Sequence, residues 1–345
     1  MQMYNNISIL QAYFSVFIFL FFVCLCLNVV NLMQRSQLFF IFANNLEIFM
    51  KQAILITAYK NMDHLNRIVR FFDTSGFYCF IHIDKKSSVS KSEIEDLKAK
   101  DNVNFVSQEY SITWGGINHL KAILHLLDRA LKECDAEYFH LITGHDFPIK
   151  PVEEFNSFFE KNRGVEFLEV NPLPYKNWEN GGMDRFLLYN VYDFIDGRTG
   201  MKERFAKGLL KLQRKLRIQR KLPKDFPALF GGSTYWSLSR NCIEYVLNYL
   251  QTHPSFLKRF RYSFCSEEVF FQTIVMNSPL KENVVNNSLR FILWEKRNGN
   301  FPANLDESDY DSMIKSDALF ARKFEYPVSE GLLKKMINYL NISED

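Results

Sequence analysis

From Met1 to Gln34 the chain carries no charged residue, and Ile7 to Met33 is long and apolar enough to cross a bilayer as a helix. Beyond Met50 the pattern changes to short β-branched runs alternating with amphipathic stretches. Ala53–Thr57 predicts a first strand, and the residues near His64–Asp73 a helix. Tyr78–Ile83 predicts a second strand, Val103–Phe105 a third, Asn118–Lys132 a helix and Tyr138–Ile142 a further buried strand. Such alternation predicts an α/β fold with a mainly parallel central sheet. Sheets of that kind bind ligands in the crevice at the carboxyl ends of their strands, where Tyr59, Asp84 and Asp146 fall.

Residues 1–49 read as a single-pass N-terminal membrane segment with a cytosolic catalytic domain, the orientation set by Arg35 on its C-terminal flank. The alternative reading makes them a mis-assigned extension upstream of Met50, the chain then being cytoplasmic or peripheral to a membrane. Residues 50–325 read as one domain and 326–345 as a C-terminal helix. Between Arg198 and Lys224 eleven basic residues interleave with Phe205, Leu209, Leu212, Leu216 and other apolar positions, a basic amphipathic helix. That helix suits a solvated surface packed on one face, a membrane surface or an anionic acceptor.

Composition narrows the choice of function. An apolar fraction of 47% with 23% charged residues describes a globular chain. A net charge of +3 is too small for a protein that tracks nucleic-acid phosphates. Six cysteines without a Cys-x-x-Cys pair argue against structural zinc and fit free thiols.

Two segments carry candidate chemistry. Cys265-Ser266-Glu267-Glu268 precedes the apolar run Val269–Ile274, which puts two carboxylates in the first turn of a helix. Acids favour that position through the helix dipole alone, so spacing leaves both a structural and a catalytic role open. Tyr138–Ile142 ends in Gly144-His145-Asp146, one carboxylate where a metal-binding Asp-x-Asp pair would need two. The literal Asp309-Tyr310-Asp311 lies in a polar, helix-like stretch and reads as solvated surface. Without a metal, cations must offset a leaving diphosphate, and Arg322-Lys323 is the best-placed pair.

Taken in order, YCFIHIDKKS (78–87), Trp114-Gly115-Gly116, YFHLITGHDFPIK (138–150), GSTYWSLS (232–239), SEEVFFQTI (266–274) and FARKF (320–324) resemble the core 2 and I-branching β-1,6-N-acetylglucosaminyltransferases and the peptide xylosyltransferases. The resemblance implies a GT-A-like nucleotide-sugar-binding fold without a functional Asp-x-Asp motif, no metal or other cofactor, and inverting transfer from a UDP-sugar to a carbohydrate or glycolipid acceptor. N-acetylglucosamine in β linkage is the sugar it favours; UDP-xylose, UDP-glucose or a non-catalytic carbohydrate-binding relative are the alternatives. By resemblance Glu268 is the general base and Glu267 caps its helix. Asp84, Asp146, Arg322 and Lys323 bind the donor; Glu169, Arg185 and Trp294 contact the acceptor; Trp236 is core or pocket wall.

The chain departs from the family pattern as well. A second diphosphate-binding cation is missing from Phe301-Pro302-Ala303-Asn304, with Arg297 or Arg322 as substitutes, and Lys296 stands where the branching enzymes carry an aromatic. The animal cysteine framework is absent, which points to a microbial member building a surface polysaccharide.

Overall fold

A computed structural model describes residues 50–197 and 200–342. Strand β1 (Gln52–Ala58) is buried along its whole length and leads through α1 (Met62–Phe71) to β2 (Phe77–Ile83). Helix α2 (Lys91–Lys98), opened by a Ser90/Glu93 capping box, and β3 (Val103–Ser107) follow. Then come α3 (Asn118–Glu133), β4 (Tyr138–Thr143), β5 (Phe147–Pro148), α4 (Val152–Lys161), β6 (Glu166–Leu168) and β7 (Asn171–Pro172). A short α5 (Asp184–Leu187) and the longer α6 (Gly200–Lys215) precede β8 (Phe230–Gly231) and β9 (Trp236–Ser239). The chain continues through α7 (Arg240–Thr252), α8 (Pro254–Arg259), α9 (Glu267–Met276), β10 (Val284–Val285), β11 (Arg290–Ile292), α10 (Tyr310–Lys315), β12 (Phe320–Arg322) and α11 (Glu330–Tyr339).

The main sheet runs β10-β6-β9-β4-β1-β2-β3. Its neighbours pair in parallel except β9, which is antiparallel to both β4 and β6. The α/β reading with a mainly parallel sheet therefore holds. β1 alternates Ala53 and Leu55 toward a core containing α3, α7 and α9, and Ile54 and Ile56 toward a second core containing α1, α4 and α11. Burial on both faces explains why β1, β2 and β4 read as continuous apolar runs. Trp236 is fully buried, so of its two readings the core residue is the one observed.

A three-stranded sheet, β11-β12-β5, packs on the second core and fixes β12 beside the end of β4. Arg290 joins the two sheets: its guanidinium donates to Leu141 O at 2.9 Å and lies 4.1 Å from the Phe320 ring centre. Inside the main sheet His140 meets Ser237 Oγ at 2.9 Å and Gln52 Oε1 at 3.0 Å, and Gln52 donates to Asn156. This buried chain engages both ring nitrogens of His140 and both amide atoms of Gln52, which fixes the relative positions of β9, β4, β1 and α4.

Among the described residues no helix is long and apolar enough to cross a membrane. The expected N-terminal span lies outside the described residues.

Candidate active site

The order β3-β2-β1-β4 reverses between β1 and β4, and the carboxyl ends of strands at such a reversal are where sheets of this kind form their ligand crevice. Tyr59 and Lys60 follow β1, Asp84 follows β2, Asp146 follows β4 and Glu169 follows β6, all on that edge. The cleft lined by Glu137, Arg163, Glu166 and Arg240 lies at the opposite end, beside the starts of β4 and β6.

Asp84 is buried, and its Oδ1 accepts from Lys86 N at 3.0 Å and Ile112 N at 3.1 Å. It thus holds the turn after β2 against the segment before Trp114. Asp146 is fully buried; its Oδ2 accepts from the backbone and hydroxyl of Thr143. Its Oδ1 has no hydrogen-bond partner and faces Arg322 Nη1 at 3.7 Å. The Arg322 guanidinium stacks 4.5 Å from the centre of the Tyr235 ring, with Nε unpartnered. A cation thus occupies the space beside the single carboxylate.

Lys323 comes next, its amine 3.7 Å from Glu325, which also accepts from Lys60 at 2.7 Å. Burial pulls the Lys323 amine below its ordinary pKa, with Glu325 opposing and Arg322 and Lys60 reinforcing. His145 contacts Tyr59 OH at 3.1 Å, and burial together with Lys323 and Arg322 lowers it to about 3. Sequence reasoning assigned no role to Lys60, His145 or Glu325: His145 lies inside the 138–150 motif but beside the more conspicuous Asp146, and Lys60 and Glu325 meet only through the fold.

Glu268 lies in the first turn of α9. Arg185 Nη1 donates to its Oε2, and the Arg185 guanidinium lies over the Trp178 ring, 4.0 Å from its centre. Burial raises the Glu268 carboxyl to about 7, against the pull of Arg185. Its side chain still keeps 27% of its surface open, so a substrate group can reach it. Glu169 is close enough to add to the upward shift, and burial raises its own carboxyl too. Gly232 makes this approach geometrically feasible: its N–H donates to Glu268 O at 2.8 Å, and a Cβ there would sit 1.8 Å from Glu169 O. The structure thus brings Glu268, Arg185 and Glu169 together.

Two expectations require revision, and one alternative is narrowed. Glu267 does not cap its helix with its side chain: Oε1 meets His119 Nδ1 at 3.1 Å, and His119 Nε2 meets Thr57 Oγ1 at 3.1 Å. That bridge ties the start of α9 to the end of β1. Asp309 is no solvated surface acid; it is buried and accepts from Arg297 at 2.7 and 2.6 Å. Arg297 is further engaged by Asp306 and Glu295, so of the two proposed substitute cations Arg322 is the one beside the crevice. Trp294 stands on the loop after β11, 61% exposed, with Phe301 as its ring neighbour.

The Trp114-Gly115-Gly116 motif packs against the turn that leads into α9. Gly115 has φ +77° and its carbonyl accepts from Cys265 N at 2.9 Å, while Trp114 meets Phe264 edge-on.

The family model for Core-2/I-Branching enzymes matches residues 53–314. The chain belongs to that family. The matched region is a glycosyltransferase domain of the core-2/xylosyltransferase type. Among curated relatives, xylosyltransferase 2 of Canis lupus familiaris is 25% identical over 301 residues, 81% of this chain. Xylosyltransferase 1 of Mus musculus is 23% identical over 304 residues, 82% of this chain. The chain spans only 32% and 29% of the length of those relatives. Of the solved structures, S. aureus TarS 1-349 aligns with 61% of this chain and 70% of its own, at 14% identity and a TM-score of 0.27, too low to carry weight.

Proposed function

We propose that this core-2/I-branching family member is an inverting, metal-independent transferase that moves a sugar from a UDP-sugar to a glycan hydroxyl, with Glu268 as general base. The observation that carries this reading is the Glu268–Arg185 pair beside Glu169, with the Glu268 side chain still partly exposed; burial, opposed by Arg185, raises its carboxyl to about 7. A base with that pKa is half ionised near neutral pH, which suits proton removal in that range. Glu268 takes the acceptor proton as the acceptor oxygen bonds to the anomeric carbon. The bond from that carbon to the β-phosphate oxygen breaks from the opposite face, and its electron pair leaves with UDP. Arg322, Lys323 and Lys60 offset the charge of the departing diphosphate, Lys60 and Lys323 exchanging Glu325 for phosphate oxygens. Arg322 stands beside Asp146 where a metal-dependent relative would need its ion, which supports catalysis without one. Asp84 grips the nucleoside end; Glu169, and Trp294 from its loop, hold the acceptor.

N-acetylglucosamine in β linkage is the donor sugar we favour from the branching-enzyme motifs. A second reading, transfer of xylose, draws on the two xylosyltransferase relatives, which align with more than four-fifths of the chain. UDP release from UDP-N-acetylglucosamine, UDP-xylose and UDP-glucose in EDTA, with simple sugar acceptors, separates these readings. Release from one donor in EDTA supports the proposal and names the sugar. Release only with a divalent ion contradicts the cation-for-metal assignment, and UDP binding without turnover on any donor favours a non-catalytic relative.

A further inference from the structure

Helix α6 has three distinct faces. Ala206 and Gln213 are buried, and Gln213 exchanges hydrogen bonds of 2.8 and 3.0 Å with the backbone of Tyr189, which fixes the inner face. Met201, Phe205, Leu212 and Leu216 recur at helical spacing along another face, and all point outward, at 85, 57, 50 and 58% exposure. Arg204, Lys207, Lys211 and Lys215 form an exposed row beside that stripe. The helix carries six basic residues and one acid, Glu203, which pairs with Lys207 at 2.6 Å. The other carboxylates facing it, Asp184 and Glu179, both contact Arg214.

An outward apolar stripe next to a row of cations is the arrangement of a helix lying in a membrane interface: the stripe enters the headgroup boundary and the cations meet anionic lipid. We propose that α6 docks the catalytic unit flat on an anionic phospholipid surface. A second copy of this chain is a poor occupant, because it would set one basic row against another. Arg214 Nε donates to Asp184 Oδ2 at 2.7 Å, and Asp184 shares α5 with Arg185. The docked helix therefore holds the Glu268–Arg185 pair near the bilayer, where a lipid-linked acceptor would be presented. The docking itself does not depend on the transfer reaction.

The described residues from Met50 onward form one compact unit containing both cores and the main sheet, so the chain from residue 50 is suited to flotation with vesicles. It floats with phosphatidylcholine–phosphatidylglycerol vesicles, is released by salt, and stays unbound with phosphatidylcholine alone. Phe205→Asp with Leu212→Asp weakens vesicle binding by about tenfold or more. Arg204→Glu with Lys211→Glu does the same, and both pairs keep the parent circular dichroism and melting temperature because the sites are exposed. Equal binding of variants and parent, equal binding to neutral vesicles, no binding at all, or a dimer in light scattering that the apolar variants dissolve would each overturn the proposal.

Discussion

A carboxylate touching a guanidinium ordinarily titrates low; Glu268 sits at about 7 because burial outweighs Arg185. With Glu268 as base, kcat/KM falls as pH drops through that value and the carboxylate takes up a proton. Arg185 lowers this pKa, so Arg185→Met must move the acidic limb to higher pH; a limb that stays or moves down contradicts the assignment. At the other end of the crevice, Lys323 and Lys60 flank Glu325. Lys323→Ala should weaken UDP binding by about tenfold or more, the loss of one charge-assisted contact, and leave uridine binding unchanged. Titration calorimetry with both ligands checks this, and an equal loss for uridine would place Lys323 away from the diphosphate. These pairings were not legible in the sequence. Arg185 and Glu268 lie 83 residues apart and Lys60 and Glu325 265 apart, and nothing local marks either pair. Glu268 itself drew attention only through its position before an apolar helix and the family resemblance.

At the scale of elements, the site depends on how α9 is held. The Thr57–His119–Glu267 bridge fixes its start to β1, and Glu267 Oε2 is already buried without a partner. His119→Ala strips the remaining bond from that carboxylate and should cost about 1–3 kcal/mol, read as a lower urea midpoint. Gly232→Ala forces a Cβ against Glu169 O and should cost about 1–3 kcal/mol while raising the acceptor KM more than the donor KM. An unchanged acceptor KM would detach Glu169 from acceptor binding. Long elements were readable because β1, β2 and β4 are continuous apolar runs and α3 keeps helical periodicity over 16 residues. The strands of two to four residues were not: β5, β9, β11 and β12 are too short for any period, and the antiparallel entry of β9 is decided by its partners.

At the scale of the molecule, four histidines among the described residues are buried, and burial favours their neutral form. Burial lowers His64 and His82 to about 4, His145 to about 3 and His140 well below the ordinary range. The unfolded chain protonates each near its ordinary value of about 6.5 while the folded chain does not, so stability declines as pH falls from there toward 4. Glu166, Glu169 and Glu268, raised by burial, act in the opposite sense, and among them only Glu268 moves far. Urea midpoints should therefore fall between pH 6.5 and 4; midpoints that rise on acidification would contradict the neutral burial of these rings. His140 shows why composition could not foretell this: its two partners, Gln52 and Ser237, come from the strands on either side of it.

The central claim is that Glu268 removes the acceptor proton, and Glu268→Gln tests it most directly because the amide keeps the shape and loses the basicity. Transfer should drop by about 10²-fold or more while UDP binds as before. Transfer retained at the parent rate, with binding intact, would show that another group is the base.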